Sequence, residues 1–222
     1  MSGLIASLEP GAALPSEREL ADRYGIARMT VRTELERFVA DGLVYRIHGR
    51  GTFVAAPRVT QEMTLSSFSE DMRERGLVPG SRILACHVVL ATSDVAGRLE
   101  LADGAPVIRI HRVRIADGEP MAVEEAFLPA DRFAGLDQAD LERGSLFELL
   151  EERWGVQLAT GEQRVVAVSF DATQAHLLGV EPGDPGLLFH TTGRDTADTV
   201  VYTACTWYRS DRYEIRLSQV RA

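Results

Sequence analysis

Two short predicted helices, joined by a turn around one glycine, constrain the fold of this chain more than any other feature. The first helix begins at Ser16, whose hydroxyl can cap the helix while Glu19, three residues later, returns a hydrogen bond to the cap. Gly25 ends this helix, because glycine readily adopts the left-handed conformation found after a helix C-terminus. The second helix is expected over about 27–40, and the pair has the form of a helix-turn-helix.

The apolar residues of the second helix determine which of its side chains face outward. Val31, Leu35 and Phe38 recur at intervals of four and three residues, which places them on one buried face. Arg28 and Arg32 are also four residues apart, and therefore stand one turn apart on the exposed side. The pattern predicts two outward guanidinium groups on a helix that packs inward through its other face.

A predicted β-hairpin follows the second helix. Alternating apolar runs at 43–47 and 52–54 flank the glycine-rich segment 48–51, a pattern typical of a hairpin with a tight tip. Arg50 stands between two glycines there, so little side-chain bulk keeps its guanidinium from a narrow groove. Helix-turn-helix plus hairpin predicts a winged helix.

The distribution of charge fits a DNA-binding N-terminal segment. The whole chain has a net charge of −9, yet residues 23–58 contain seven arginines against three acidic residues. Phosphate contacts need a local positive face rather than a basic protein. An alternative stays open for each arginine, namely a solvated or ion-paired helix face, and Glu36 lies four residues after Arg32.

The hydrophobic period changes after the small and polar segment 55–61, which predicts a domain boundary. We expect a first domain at 1–56, a linker at 57–62 and a second domain at 63–222. Asp117-Gly118 separates two alternating apolar runs, a strong hairpin signal. Hairpin-linked strands with occasional helices predict an α+β domain on a mainly antiparallel sheet. Strands are expected at 82–91, 106–116, 121–128, 163–170, 186–195, 199–208 and 213–217, and helices at 67–75, 93–99, 145–154 and 171–178.

Other classes of protein lack their usual patterns in this sequence. It has no apolar run of 18 or more residues and no secretory signal, so we expect a cytoplasmic protein that does not enter a membrane. Cys86 and Cys205 lie far apart without metal-ligand spacing, which predicts two reduced thiols and no metal site. No nucleophile, base and orienting residue stand in a recognisable arrangement, so no catalytic residue and no cofactor are predicted.

The segments LPSERELADRYGIARMTVRTEL (14–35) and HGRGTFV (48–54) resemble the GntR family of bacterial transcriptional regulators. The resemblance covers roughly residues 8–56. Arginine forks suit guanine edges or phosphates, and a threonine near a helix N-terminus suits phosphate oxygens. The resemblance implies DNA contacts from Arg18, Arg28, Thr30, Arg32, His48 and Gly49, with Arg50 near the wing tip.

Two positions depart from this family. Ala27 stands where members usually have serine, which removes a cap or phosphate contact worth about 1 kcal/mol. The family's winged helix begins with a helix of about a dozen residues, whereas only residues 1–9 precede Pro10-Gly11. We therefore expect either a start further upstream or another segment that covers Leu20 and Leu35.

The rest of the chain resembles the HutC-type branch of the family, whose sensor is a UTRA domain with a chorismate-lyase-like fold. The expected architecture is thus an N-terminal winged helix-turn-helix plus a C-terminal antiparallel-sheet UTRA domain with flanking helices. The resemblance is carried by the segments 66–72, 112–114, 118–121 with Glu124, 145–147 and 208–213.

Arg112 and Arg114 alternate along one predicted strand, so both side chains face the same side of the sheet, whereas His111 faces the other and is taken as structural. Two inward guanidiniums need an anion, and phosphate fits their geometry. Pairing of the arginines with Glu124 or with the acidic surface remains an alternative. The resemblance assigns the pair to the phosphate of a phosphorylated sugar, and adds Ser66 or Ser67, Glu124, Ser145 and Tyr208.

Two of these ligand positions are open to a second interpretation. Ser145 stands at the N-terminus of a predicted helix, where a serine also serves as a plain cap. Tyr202 occupies the position at which relatives that sense amino sugars carry glutamate. The exact sugar therefore cannot be inherited from the family, and a different sugar phosphate or another small organic acid stays open as the effector.

The sequence thus predicts a ligand-responsive transcriptional regulator, most simply a repressor. Its expected partners are double-stranded operator DNA, bound as a homodimer on a pseudo-palindrome, and a small-molecule effector. Two alternatives remain open: a chorismate-lyase-like enzyme in which Arg112 and Arg114 hold a carboxylate substrate, and a DNA-binding dimer whose ligand site has degenerated.

Overall fold

The structure is a computed structural model that describes residues 1–47, 50–55, 59–61, 66–139, 141–142 and 144–215. The chain divides into two compact units, Met1–Arg58 and Val59–Ala222, and each unit is described by itself. Within the described residues, no helix is long and apolar enough to cross a membrane.

The first unit is a winged helix, as predicted. Strands β1 and β2 pair antiparallel, with Val44 opposite Val54 and Ile47 opposite Gly51. The tip residues His48 and Gly49 lie outside the described residues. The elements, in chain order, are α1 (Ser2–Ala6), α2 (Glu17–Tyr24), α3 (Arg28–Ala40), β1 (Val44–Ile47) and β2 (Gly51–Val54).

The predicted helix boundaries are confirmed by the capping bonds. The Ser16 hydroxyl accepts a hydrogen bond from the Glu19 amide, while the Glu19 carboxylate accepts one from the Ser16 amide at 2.8 Å. Gly25 ends α2 with φ of 64°, in the left-handed region. Ala27 caps α3 without any side-chain bond, as expected where serine is missing.

A short N-terminal helix completes the core of this unit. Val31, Leu35 and Phe38 are buried, as predicted, together with Leu20 and the inward residues of the hairpin. Ile5 of α1 is buried in the same cluster. The five-residue helix α1 therefore packs in the cluster that contains Leu20 and Leu35, where the sequence suggested a longer helix.

The second unit is built on one six-stranded antiparallel sheet, in the strand order β4-β5-β6-β9-β8-β7. A separate pair joins β3 and β10 in parallel. The strands are β3 (Val59–Gln61), β4 (Pro79–Leu90), β5 (Pro106–Ala116), β6 (Glu119–Pro129), β7 (Leu158–Ser169), β8 (Pro185–Asp195), β9 (Val200–Arg209) and β10 (Tyr213–Ile215). The helices are α4 (Phe68–Glu74), α5 (Ser93–Leu99), α6 (Leu146–Trp154) and α7 (Ala172–Leu178), with a 3₁₀ turn at Leu136–Gln138.

Helices cover both faces of this sheet. On one face α6 packs on the inward residues of β5, β6 and β9, and α4 packs beside it. On the other face α5 and α7 cover separate apolar clusters. The α+β prediction is confirmed, and the β5–β6 hairpin turns at Asp117 and Gly118, whose φ angles are 50° and 82°.

Two features of this unit differ from the sequence prediction. Strand β7 begins at Leu158, five residues before the predicted start, because β8 pairs with these residues. The prediction missed them because β7 is an edge strand with largely exposed residues. Exposed positions carry no alternating apolar pattern from which a strand can be read. Residues 59–61, which fall in the predicted linker, form β3 because β10 supplies their partner.

The helix on the sheet generates a stability prediction. Leu150 of α6 is 0% exposed within the main core cluster, so Leu150→Ala should lower the free energy of unfolding by about 2–5 kcal/mol. The matched change Leu90→Ala, at a residue 74% exposed on β4, should stay within about 0.5 kcal/mol. Urea unfolding of the full chain measures both, and similar losses would contradict the assigned core.

Candidate functional site

Seven of the eight residues predicted to bind a small molecule line one cavity, between the sheet and the helices α4 and α6. The cavity has room for about 50 Å³. Its described lining is Ser66, Ser67, Phe68, Asp71, Arg112, Arg114, Glu124, Leu146, Phe147, Gln163, Phe189, Thr191, Tyr202, Thr206 and Tyr208. The remaining predicted residue, Ser145, does not line the cavity but is hydrogen-bonded to Ser67, which does.

Strand register brings the charged residues of the cavity together. Arg112 and Arg114 alternate along β5, and Arg112 stands directly opposite Glu124 of β6. Glu124 in turn stands opposite Thr206 of β9. Cross-strand neighbours on one face are about 4.5–5.5 Å apart, so the sheet places two cations, an anion and a hydroxyl side by side.

Arg112 and Glu124 form a buried ion pair. The Nε and Nη2 atoms of Arg112 lie 2.9 and 2.6 Å from one carboxylate oxygen of Glu124, and the two residues are 3% and 5% exposed. The sequence left this pairing open as an alternative, and it is present. The Nη1 atom of Arg112, however, is buried with no hydrogen-bond partner among the described residues.

Arg114 is held by neutral groups. It donates to the hydroxyls of Ser81 at 2.8 Å and Ser69 at 3.0 Å, and its guanidinium carbon lies 4.4 Å from the centre of the Phe68 ring. Its Nε atom is buried and has no partner among the described residues. Burial and the neighbouring Arg112 lower the pKa of Arg114 to about 9, against the opposite effect of Glu124.

The charged groups in the described lining of the cavity are two arginines and two carboxylates, and both carboxylates are already paired. Burial alone would raise the pKa of Glu124, but Arg112 and Arg114 outweigh burial and hold that pKa below its ordinary value. Asp71, the other acidic residue of the described lining, already pairs with Arg75 at 3.1 Å. Among the residues that the structure describes, Arg114 therefore forms no ion pair with a carboxylate, and an anion in the cavity would complement it.

The three predicted serines have different positions. Ser67 caps α4 and Ser66 donates to the Asp71 carboxylate at 3.1 Å. Ser145 caps α6 by accepting from the Glu148 amide, and its hydroxyl lies 3.1 Å from that of Ser67. Its contacts are those of the helix cap that the sequence left open, one layer behind the cavity.

Aromatic rings close the other side of the cavity. Tyr202 meets Phe147 edge-on, with ring centres 5.5 Å apart, and Tyr208 stacks on Tyr213 at 4.0 Å. Burial raises the pKa of both Tyr202 and Tyr208, and nearby Glu124 adds to the effect. Both phenols are therefore neutral hydrogen-bonding groups at pH 7.

Several lining residues were not predicted, notably Asp71, Gln163, Thr191 and Thr206. The alternation of β8 and β9 was a signal for the two threonines, but only strand order shows that they share a face with Arg112. Among the residues described, no three His, Cys, Asp or Glu side chains come close enough together to hold a metal ion.

The first unit presents a separate cationic surface. The side chains of Arg28 and Arg32 are 66% and 55% exposed, and they pair with Glu17 at 3.6 Å and Glu36 at 3.3 Å. Arg46 of β1, which the sequence did not single out, lies 3.6 Å from Glu17 and 3.9 Å from Glu36. The ion-paired alternative thus holds in the free protein, as a chain of exposed pairs rather than a buried contact.

The same surface includes most of the predicted DNA-contacting residues. Thr30 is exposed in the first turn of α3. His48 and Gly49 fall outside the described residues. One groove of about 660 Å³ is lined by four arginines, Arg18, Arg28, Arg46 and Arg50, together with Glu17.

Comparison with known proteins matches both units. Residues 4–54 match the family model described as "Bacterial regulatory proteins, gntR family", and residues 74–214 match the UTRA domain. The chain is 36% identical over 207 residues to the HTH-type transcriptional repressor NagR of Bacillus subtilis (strain 168), covering 93% of this chain and 85% of NagR. It is 30% identical over 179 residues to the mannosyl-D-glycerate transport/metabolism system repressor MngR of Escherichia coli (strain K12), covering 80% and 74% of the two chains.

A solved structure agrees with the fold. The crystal structure of PhnF from Mycobacterium smegmatis superposes with a TM-score of 0.74 at 30% identity. The match covers 98% of this chain and 96% of that one.

The buried ion pair generates a prediction on stability. Glu124→Gln leaves Arg112 buried without a counter-charge, which should lower the free energy of unfolding by about 3–5 kcal/mol. Glu125→Gln is the matched control, because Glu125 faces the other side of β6 and pairs with Arg109 in a partly exposed bridge worth about 0–1 kcal/mol. Urea unfolding at pH 7 measures the two variants.

The pH dependence has a definite sign. Because the folded pKa of Glu124 lies below the ordinary value of 4.5, its contribution is present above that value and lost as pH falls through the folded pKa. The wild type should therefore lose its advantage over Glu124→Gln in acid. Equal losses for the two variants at pH 7 would contradict the assignment of Glu124 as the counter-charge.

Proposed function

The chain belongs to the GntR family of bacterial regulatory proteins, with a UTRA domain after its helix-turn-helix, and from this premise we propose how it acts. It binds operator DNA as a homodimer and represses transcription until a phosphorylated sugar or related organic anion enters its C-terminal cavity. Residues 1–56 read the DNA, and residues 63–222 bind the effector and dimerise. The operator lies on the bacterial chromosome, so the protein works in the cytoplasm.

The enzyme alternative is set aside by the relatives. The chain matches named transcriptional repressors over most of its length, including NagR over 93% of it. It is therefore a regulator rather than a chorismate-lyase-like enzyme. In a regulator, Arg112 and Arg114 serve to bind an effector and not to position a substrate.

The exposed arginines of α3 support DNA binding through its major groove. A guanidinium that contacts a guanine edge in two places discriminates against other bases by about 1–3 kcal/mol. The pairs with Glu17 and Glu36 are solvent-exposed, and exposed pairs contribute only about 0–1 kcal/mol. DNA phosphates and bases can therefore replace these carboxylates at little cost, and Arg46 adds a third cation between them.

A homodimer matches the twofold symmetry of the pseudo-palindromic operator that we propose. Two winged helices related by a twofold axis would contact half-sites about one helical turn, or 34–36 Å, apart. A single winged helix can contact one half-site. We therefore propose that the second unit dimerises and so brings two winged helices to one operator.

The observation that carries the effector proposal is the pair of unpartnered guanidinium nitrogens. Nη1 of Arg112 and Nε of Arg114 are buried in the cavity region without hydrogen-bond acceptors among the described residues. An unmet buried donor costs about 1–3 kcal/mol. A phosphate or carboxylate supplies acceptors of the right charge and geometry for both nitrogens.

Tyr202 limits which chemical groups the effector can carry besides its anionic group. Where a glutamate would offer a carboxylate to an amine, Tyr202 offers a neutral phenol, and Glu124 is already engaged by Arg112. Thr191, Thr206 and Gln163 add further neutral groups around the cavity. The effector class is thus an anion with hydroxyl groups. The relative MngR is named for mannosyl-D-glycerate, a compound of that chemical kind.

The DNA proposal predicts a large, salt-dependent loss of affinity. Arg28→Ala with Arg32→Ala should weaken operator binding by roughly 30-fold or more, since each base contact contributes about 1–3 kcal/mol. If these side chains also neutralise phosphates, the slope of log K against log salt should fall by about 0.9 for each phosphate that is no longer neutralised. Fluorescence anisotropy with a promoter fragment, over a range of salt concentrations, measures both quantities.

The matched control removes the same charge elsewhere. Arg23→Ala with Arg37→Ala deletes two arginines from α2 and from the opposite side of α3, and should change affinity far less. If both double variants behave alike, the arginines of this unit act through net charge, and the proposed reading surface is wrong.

The effector proposal predicts stabilisation by anionic sugars. At 100 times its Kd, a ligand adds about 2.7 kcal/mol, which raises the Tm of a chain of this size by roughly 5–10 °C. Sugar phosphates should give this shift in a thermal screen, while the parent sugars should not. Arg114→Met should abolish it, and Arg109→Met, on the other face of β5, should keep it. Absence of any shift with sugar phosphates or organic acids would favour the degenerate ligand site.

A further inference from the structure

A thiol, an imidazole and a guanidinium meet on the face of the sheet opposite the effector cavity. Cys205 of β9 pairs in register with His190 of β8, and Sγ lies 3.4 Å from the imidazole Nδ1. Arg98 of α5 brings Nη1 to 3.6 Å from the same sulfur. Three separate elements therefore converge on one sulfur atom.

This cluster is reachable from outside the unit. Cys205 and His190 are both half-buried, and they open onto a groove of about 350 Å³. The other described residues of the groove are Asp94, Arg98, Glu162, Arg164 and Thr192. A small reagent can thus approach the sulfur from the side of the groove.

The imidazole is placed to accept the proton of the thiol, because its Nδ1 atom lies next to Sγ; its lowered pKa keeps it neutral but makes it a weaker base. Burial, followed by the nearby Arg164 and Arg98, lowers the pKa of His190, while Asp94 opposes the shift. His190 is therefore neutral at pH 7, and in the tautomer with Nδ1 free it can take the proton from Sγ. The thiolate is the nucleophilic form of cysteine. Nη1 of Arg98 faces the sulfur and is shared with the Thr203 hydroxyl at 3.4 Å, while Nη2 pairs with Asp94 at 2.8 Å.

We propose that Cys205 is a modification site, at which the thiol reacts with small peroxides with His190 as the base. His190 Nδ1 takes the proton, and Sγ attacks one peroxide oxygen. The O–O bond breaks, and the leaving oxygen recovers the proton from His190 and departs as water or an alcohol. The sulfur is oxidised by two electrons to a sulfenic acid, and the peroxide is reduced.

The chain includes its own reference thiol. Cys86 of β4 packs against the main core cluster on the cavity side of the sheet. Cys86 is half-buried, like Cys205, but burial, with Asp137 adding to it, raises the pKa of Cys86, which disfavours its reactive thiolate form. The two cysteines therefore differ in surroundings within one molecule and can be compared under identical conditions.

The position of Cys205 gives the modification a route to the effector cavity. Cys205 and His190 alternate along their strands with Thr206 and Thr191, which line the cavity on the other face. An added oxygen on Sγ needs space and hydrogen bonds directly behind those two threonines.

The test uses the reduced full-length protein. Hydrogen peroxide is added at pH 7 with dimedone to trap sulfenic acid, and the adduct on each cysteine is followed by peptide mass spectrometry. We expect Cys205 to be trapped at least tenfold faster than Cys86. Equal rates at the two cysteines would overturn the proposal.

Variants separate the role of His190 from simple exposure. His190→Gln should slow trapping at Cys205 at least tenfold, whereas His87→Gln, at an exposed histidine of β4, should leave it unchanged. Thermal unfolding checks whether both variants are folded. If His190→Gln does not fold, the variant Cys86→Ala is used instead, because it leaves Cys205 as the one cysteine of the chain, with the residues around it unchanged. If dimedone traps Cys205 equally fast in the wild type and in folded His190→Gln, His190 is not the base and the proposal is wrong on that point. If trapping of Cys205 in Cys86→Ala is as slow as trapping of Cys86 in the wild type, the whole proposal is overturned.

Discussion

The buried charges on one face of the sheet are the constraint on which the second unit depends. Arg112 and Arg114 are removed from water, and each can be tolerated only if the fold supplies compensating groups. Glu124 does this for the first, while Ser69, Ser81 and the Phe68 ring do it for the second. The compensation is incomplete, since one nitrogen on each arginine lacks an acceptor among the described residues, and that incompleteness is why we propose the cavity as a binding site.

The two units use arginine in opposite ways. In the winged helix, Arg28 and Arg32 stay in water and pair loosely with glutamates that DNA can displace. Such contacts are weak singly and screened by salt, which suits a surface that has to release its partner. In the second unit the guanidiniums are buried, so their interaction with an anion is screened less and depends on close geometry. In the function we propose, one residue type therefore contacts DNA reversibly in one unit and binds the effector selectively in the other.

Local signals predicted most of the fold. The Ser16 capping box, Gly25, the Val31 spine and the Asp117-Gly118 turn are all decided by residues within a few positions of one another, and the structure agrees with each. Features decided by distant partners were missed. Strand β7 extends further because β8 pairs with it, Arg46 matters because two glutamates from other elements reach it, and Thr206 joins the site only through the order of strands. For the site, alternation predicted Arg112 and Arg114 on one face and left their pairing with Glu124 open, and only the structure shows that Arg112 rather than Arg114 forms that pair.

The size of the cavity connects binding to a change of state. A volume of about 50 Å³ has space for roughly three to five water molecules at 10–15 Å³ each. The edge contact of Phe147 with Tyr202 joins α6 to β9 at the cavity wall. A ligand shifts an equilibrium only by its difference in affinity for two states. The effector that we propose would therefore change DNA affinity only if it bound one arrangement of these side chains more tightly than another.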